Sequence, residues 1–178
     1  MDLAGRRSHV VIAAVLALSA LGAAGCEAIT GPSEEERRIA AEQVVIKAYS
    51  EEVPKVDAAL ATFLDAWKKA NEKKDLKAYK DEIQAYVVPA LDKFVAAAEG
   101  MPLGSERLKA IHAPLVAAYK GAQAAHKAFL ENVTEATMDA EYAKVLAAMD
   151  AVTKAEDAYL TSLTAYYKEH RVDIQKGP

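Results

Sequence analysis

His112, His126 and Glu156 are the ionisable residues that fall in step with apolar neighbours, and so the ones whose chemistry needs explaining. Leu108, Ile111, Leu115, Tyr119, Ala122, His126, Phe129 and Val133 recur at steps of three and four, and so do Tyr142, Val145, Met149, Val152, Glu156, Tyr159, Leu163 and Tyr166. That stepping marks one face of a helix. Polar groups on such a face are costly unless partnered. In an antiparallel hairpin turning near residues 133–136, His112 and Glu156 come level, so a His112–Glu156 hydrogen-bonded pair is expected, with His126 opposite Tyr142 and Val145. The alternative is metal or haem ligation by His112, His126 and Glu156.

Spacing weighs against that alternative. Carboxylate-bridged metal bundles use Glu-x-x-His on paired helices, yet Glu156 is followed three residues later by Tyr159. The Glu169-His170 neighbours fall where the last helix is expected to fray. His126 and Met149 supply the ligand types of a non-covalent haem, with nothing further to support one. No Cys-x-x-Cys-His, His-Glu-x-x-His, Gly-x-Ser-x-Gly or Walker-type glycine loop occurs. No catalytic residue, metal or cofactor is therefore expected, and the chain does not read as an enzyme. The eight tyrosines, several sharing faces, are expected to bury their rings and leave hydroxyls at the wet edge.

Chemistry of another kind centres on Cys26, the single cysteine. Arg6 and Arg7 precede an apolar run from Val10 to Ala24, and Ala23-Ala24-Gly25 leads directly into Cys26. A basic start, a short apolar core and small residues before a cut are the parts of a secretory signal. The run is shorter than the roughly 20 residues that span a bilayer. The Ala-Ala-Gly-Cys sequence resembles the lipobox of bacterial lipoproteins, with Ala23 in place of the usual leucine. The resemblance covers residues 1–26 only. It implies cleavage before Cys26, acylation of that cysteine and a membrane partner reached through the lipid. Glu27, in place of a retaining aspartate, implies the outer membrane, facing the periplasm, where the source has two membranes.

The remaining roughly 150 residues are enough for one domain with a core. A net charge of −4 with both signs interspersed argues against nucleic acid as a partner. Residues 1–25 read as signal peptide, 26–33 as lipidated cysteine and tether, 34–170 as the folded body and 171–178 as a tail. Ser33 and Glu36 form a capping-box pattern. A first apolar face follows at Val45, Tyr49, Val53, Val56, Leu60, Phe63, Trp67 and Ala70. Asp75 caps a second, with Leu76, Tyr79, Ile83, Tyr86, Ala90, Phe94 and Ala98, closed by Gly100 and Pro102. Ser105 starts the third helix, and Thr134 or Thr137 the fourth.

The fold predicted is all-α: an antiparallel up-down four-helix bundle. Pro54, Pro89 and Pro114 interrupt it, since an interior proline loses a hydrogen bond and crowds the preceding turn. The apolar phase runs through all three, which points to proline-kinked helices; a break at Pro54, leaving a short arm from Glu34 to Glu52, stays open. The function implied is a lipid-anchored, non-enzymatic binding or scaffolding module of the cell envelope with an envelope protein as candidate partner.

Overall fold

The computed structural model describes residues 31–173, together with a two-residue antiparallel pairing of Ala14–Val15 with Gln175–Lys176. Cleavage and lipidation at Gly25 and Cys26 lie outside the described residues. The folded body is all-helical. Helix α1 spans Glu34–Asn71, α2 Leu76–Glu82, α3 Val88–Glu99, α4 Glu106–Asn132 and α5 Met138–Glu169.

Local chemistry sets the starts. Ser33 accepts from the Glu36 amide at 3.2 Å and its own amide donates to the Glu36 carboxylate at 2.7 Å, the reciprocal box that satisfies two orphan donors. Glu34, Glu35 and Glu36 in the first turn and Lys68 and Lys69 in the last complement the helix dipole. Asp75 accepts from the Ala78 amide at 2.8 Å and Ser105 from the Leu108 amide at 3.2 Å, opening α2 and α4.

The prolines act differently from one another. Helix α1 is unbroken through Pro54, so there is no separate arm, and α4 is unbroken through Pro114. Both rings are exposed, as is that of Pro89. Before Pro89 the chain takes a π-helical turn, Ile83–Val87, in which the Val88 amide reaches back to the Ile83 carbonyl. Proline has no amide to give and would crowd the carbonyl four residues back; the widened turn lies directly ahead of it. The added residue shifts the apolar face. Val87 is fully buried and Tyr86 is 60% exposed, which corrects the expectation that Tyr86 faces the core.

Elsewhere the apolar stripes pack as read. Tyr49, Phe63, Leu91, Leu108, Phe129 and Tyr166 are among the fully buried side chains of one continuous core. Each such side chain contributes about 1.5–3 kcal/mol over leaving it in water. Contacts between helices are specific. Gln43 at the start of α1 donates to the His170 carbonyl at 2.8 Å, and Tyr142 at the start of α5 donates to Asn71 at the end of α1 at 3.2 Å. Helix α3 meets α4 through Asp92, which accepts from Gln123 at 2.6 Å and pairs with Lys127 at 2.9 Å.

The end of α5 is not frayed. The Val172 amide bonds the Tyr167 carbonyl at 2.9 Å and the Arg171 amide the Lys168 carbonyl at 3.1 Å, a Schellman closure with Arg171 at φ 56°. Val172 packs against the core, and His170, expected in a loose end, is 1% exposed.

Candidate functional site

Between α1, α3, α4 and α5 lies a cleft with a cavity of about 30 Å³. Val53, Val56, Leu60, Phe94, Met101 and Leu115 make its walls apolar. Six further lining residues carry polar groups: Tyr49, Tyr119, Tyr159, His112, Asp57 and Glu156.

The imidazole of His112 organises one side. Its Nε2 lies 2.8 Å from the Ala98 carbonyl, which can only accept, so Nε2 carries the proton. Nδ1 must then accept, and the Tyr49 hydroxyl 3.0 Å away donates to it. With its proton committed, the Tyr49 oxygen accepts from the Tyr159 hydroxyl. The result is a directed chain, Tyr159 to Tyr49 to His112 to the end of α3, joining four helices through groups that are all at most 4% exposed. Burial holds His112 below the usual histidine range, so the neutral ring this chain requires is the favoured one.

The other side is acidic. Tyr119 donates to the Glu156 carboxylate. Desolvation pushes Glu156 above the usual carboxylate range and outweighs that hydrogen bond. Asp57 is pushed up to about 6 by burial. Its charge also weighs against ionisation of Tyr49 and Tyr159, which marks it as their neighbour.

The expected His112–Glu156 pair is not formed. Helix α5 begins only at Met138, so the hairpin pivots later than residues 133–136 and brings Tyr119, rather than His112, level with Glu156. The two residues nonetheless line one cleft. His126 stands apart, edge-on to Phe63 and Trp67 of α1 with centroids 6.1 Å away in each case. Its Nδ1 donates to the Ala122 carbonyl at 2.8 Å, and its buried Nε2 has no partner within the described residues. His112, His126 and Glu156 are thus not gathered into a ligand set, and no group of three or more metal-ligating side chains occurs among the described residues.

Asp57 was missed in the sequence, although a signal existed. It sits four residues after Val53 and three before Leu60, fitting the helical step as well as Val56 does. No family model, curated protein or solved structure matches the chain.

Proposed function

We propose that this protein is a lipid-anchored, non-enzymatic binding module of the bacterial cell envelope, tethered through acylated Cys26. The observation that carries the reading is the order of three features: small residues Ala23-Ala24-Gly25, the single cysteine, and a capped helix start at Ser33. Glu27 to Pro32 would span at most about 20 Å, which holds the body close to a membrane surface. No helix of the described residues is long and apolar enough to cross a membrane, so attachment through lipid is in keeping with them. Two or more acyl chains, at about 0.8 kcal/mol per buried methylene, anchor stably where one would not.

The bundle is read as up-down-up-down. Gln43 paired with His170 and Asn71 with Tyr142 support opposite directions for α1 and α5. Tyr49 with His112 and Phe63 with His126 support a common direction for α1 and α4. Bends at Pro54, Pro89 and Pro114, all three exposed, belong to the same reading. The cleft, walled by apolar residues and edged by two carboxyls, favours binding over scaffolding. Both nitrogens of the imidazole that lines it are engaged within the fold, by the Tyr49 hydroxyl and the Ala98 carbonyl, which supports a binding role over a catalytic one.

Mass spectrometry of the native amino terminus tests the anchor. Diacylglyceryl-Cys26 as the first residue, and release of a Cys26→Ser protein from the membrane fraction, are expected. An intact leader or a bare thiol overturns the reading.

A further inference from the structure

A buried phenol must direct its hydroxyl proton at some acceptor, and in this protein the acceptors differ in kind. Tyr142 and Tyr79 donate to the Asn71 amide oxygen, at 3.2 and 3.5 Å, and Tyr167 pairs with the Ser50 hydroxyl at 2.9 Å. None of those groups keeps a proton handed to it near neutral pH. Three phenols face a group that does: Tyr119 at Glu156, Tyr166 at Glu42 and Tyr49 at Nδ1 of His112. An imidazole is by nature a stronger base than a carboxylate. Tyr49, 1% exposed, is therefore placed to part from its proton with no help from water.

Loss of an electron is the event that calls on such a pair. An oxidised phenol is a strong acid, and as a buried cation it is costly unless its proton leaves with the electron. Burial weakens His112 as a base, and two features work the other way. Its Nε2 is bonded at 2.8 Å to the Ala98 carbonyl in the last turn of α3, the negative pole of that helix, where an imidazolium is favoured. The Asp57 charge registers at Tyr49 and at Tyr159, and a negative charge beside a phenol eases removal of an electron. The Tyr159 hydroxyl, already donating to the Tyr49 oxygen, remains its donor after that oxygen has given up its own proton. Half-buried Trp67 has no such arrangement: its Nε1 finds no acceptor among the described residues.

We propose that Tyr49 is a redox-active tyrosine, giving one electron to an oxidising radical at the protein surface while its hydroxyl proton passes to Nδ1 of His112. The O–H bond of Tyr49 breaks and an N–H bond forms at Nδ1. The products are a neutral phenoxyl radical, an imidazolium and the oxidant reduced by one electron. Return of one electron to the phenoxyl brings the proton back along the same hydrogen bond, so the pair is restored. The oxidant belongs to the class of freely diffusing one-electron oxidants, such as nitrogen dioxide or the carbonate radical, which need only take an electron and do not have to enter the fold. The proposal goes beyond the reading of the body as a binding module and is independent of the lipid on Cys26.

The test is flash oxidation of the mature full chain in detergent by photogenerated tris(bipyridine)ruthenium(III), read by electron paramagnetic resonance. A tyrosyl spectrum is expected in place of a tryptophanyl one. With histidine labelled in the heavy nitrogen isotope, an imidazole nitrogen is expected to couple to the radical through the shared proton. Tyr119 and Tyr166, bonded to carboxylates, cannot give that coupling. Tyr49→Phe is expected to lose the coupled spectrum and Tyr142→Phe to keep it, with circular dichroism checking that each variant folds. The nitrogen coupling is read in the wild type, so the assignment does not depend on the Tyr49 variant folding. A tryptophanyl radical, a tyrosyl radical without coupling to nitrogen, an unchanged spectrum in folded Tyr49→Phe, or no protein radical at all each overturns the proposal.

Discussion

The Tyr49 hydroxyl stands 3.0 Å from Nδ1 of His112 and is at once the donor to that nitrogen and the acceptor for Tyr159. It is therefore the only link between two other buried groups, and the two phenols at this junction are not equivalent. Tyr49→Phe leaves both the His112 nitrogen and the Tyr159 hydroxyl unsatisfied, at about 1–3 kcal/mol each. Tyr159→Phe removes one donor and leaves one lone pair unmet. Urea unfolding is expected to rank Tyr49→Phe as the more damaging, by about 1–2 kcal/mol. Equal losses would mean that Tyr49 does not bridge the two groups in solution.

Acid should weaken the fold through two of its buried histidines, His112 and His126. Burial lowers the affinity of His112 and His126 for protons relative to the unfolded chain. Between the depressed folded value and the usual histidine value near 6.5, the unfolded state binds more protons, so stability falls as pH drops. For His112 the proton would land on Nδ1, directly against the Tyr49 donor. The expected result is a urea midpoint that declines on going from pH 7 toward pH 5, with the His112 ring taking up its proton by NMR at lower pH than it does in the unfolded chain. Protonation at the unfolded value or above in the folded protein contradicts the neutral ring assigned above.

Asp57 works in the opposite sense. Its carboxyl is raised to about 6 in the folded state, so the folded state holds its proton longer than the unfolded chain does. Stability on its account is full below about pH 4 and is lost as pH rises through 6. Asp57→Asn removes that loss. The variant should match the wild type at pH 4 and exceed it by about 1 kcal/mol at pH 7.5, well under the full worth of the shift because the carboxyl is only half-buried. A constant difference across that range would place Asp57 in water.

What the sequence made legible follows from what repeats. The seams through His126 and Glu156 were readable because a straight helix keeps its phase, and Leu108, Leu115, Tyr119, Ala122, His126 and Phe129 are all buried. What was not legible depends on where phase is gained or lost. One added residue in the turn at Ile83–Val87 moved Tyr86 to the surface. A late start of α5 at Met138 exchanged His112 for Tyr119 as the partner of Glu156. The burial of His170 depended on a turn made by Arg171, a residue that carries no signal for left-handed backbone.

The phase shift at the π-turn can be read by truncation. Val87 is fully buried and its neighbour Tyr86 is 60% exposed, although an unbroken α-helical phase would set both on the side of Ile83. Val87→Ala removes two methyl carbons from a packed interior and should cost about 1–2 kcal/mol. Tyr86→Ala removes a whole ring and should change stability by no more than about 0.5 kcal/mol. The reverse ranking in chemical denaturation would restore a regular α-helix through Pro89.

Arg171 supplies the last measurable device. At φ 56° it occupies the left-handed region, where a side chain's Cβ crowds the following carbonyl and costs about 1–2 kcal/mol relative to ordinary backbone. The strain is held because Val172, one residue on, bonds back to the Tyr167 carbonyl and packs on the core, closing α5 over His170. Glycine reaches that conformation without strain, and its greater freedom in the unfolded chain offsets part of the gain. Arg171→Gly should therefore stabilise the protein by about 0.5–1 kcal/mol, with Arg171→Ala showing no such gain because alanine keeps the Cβ. The two variants together isolate backbone strain from the loss of a charge: if alanine stabilises as much as glycine, the effect belongs to the guanidinium and the closure of α5 is unstrained.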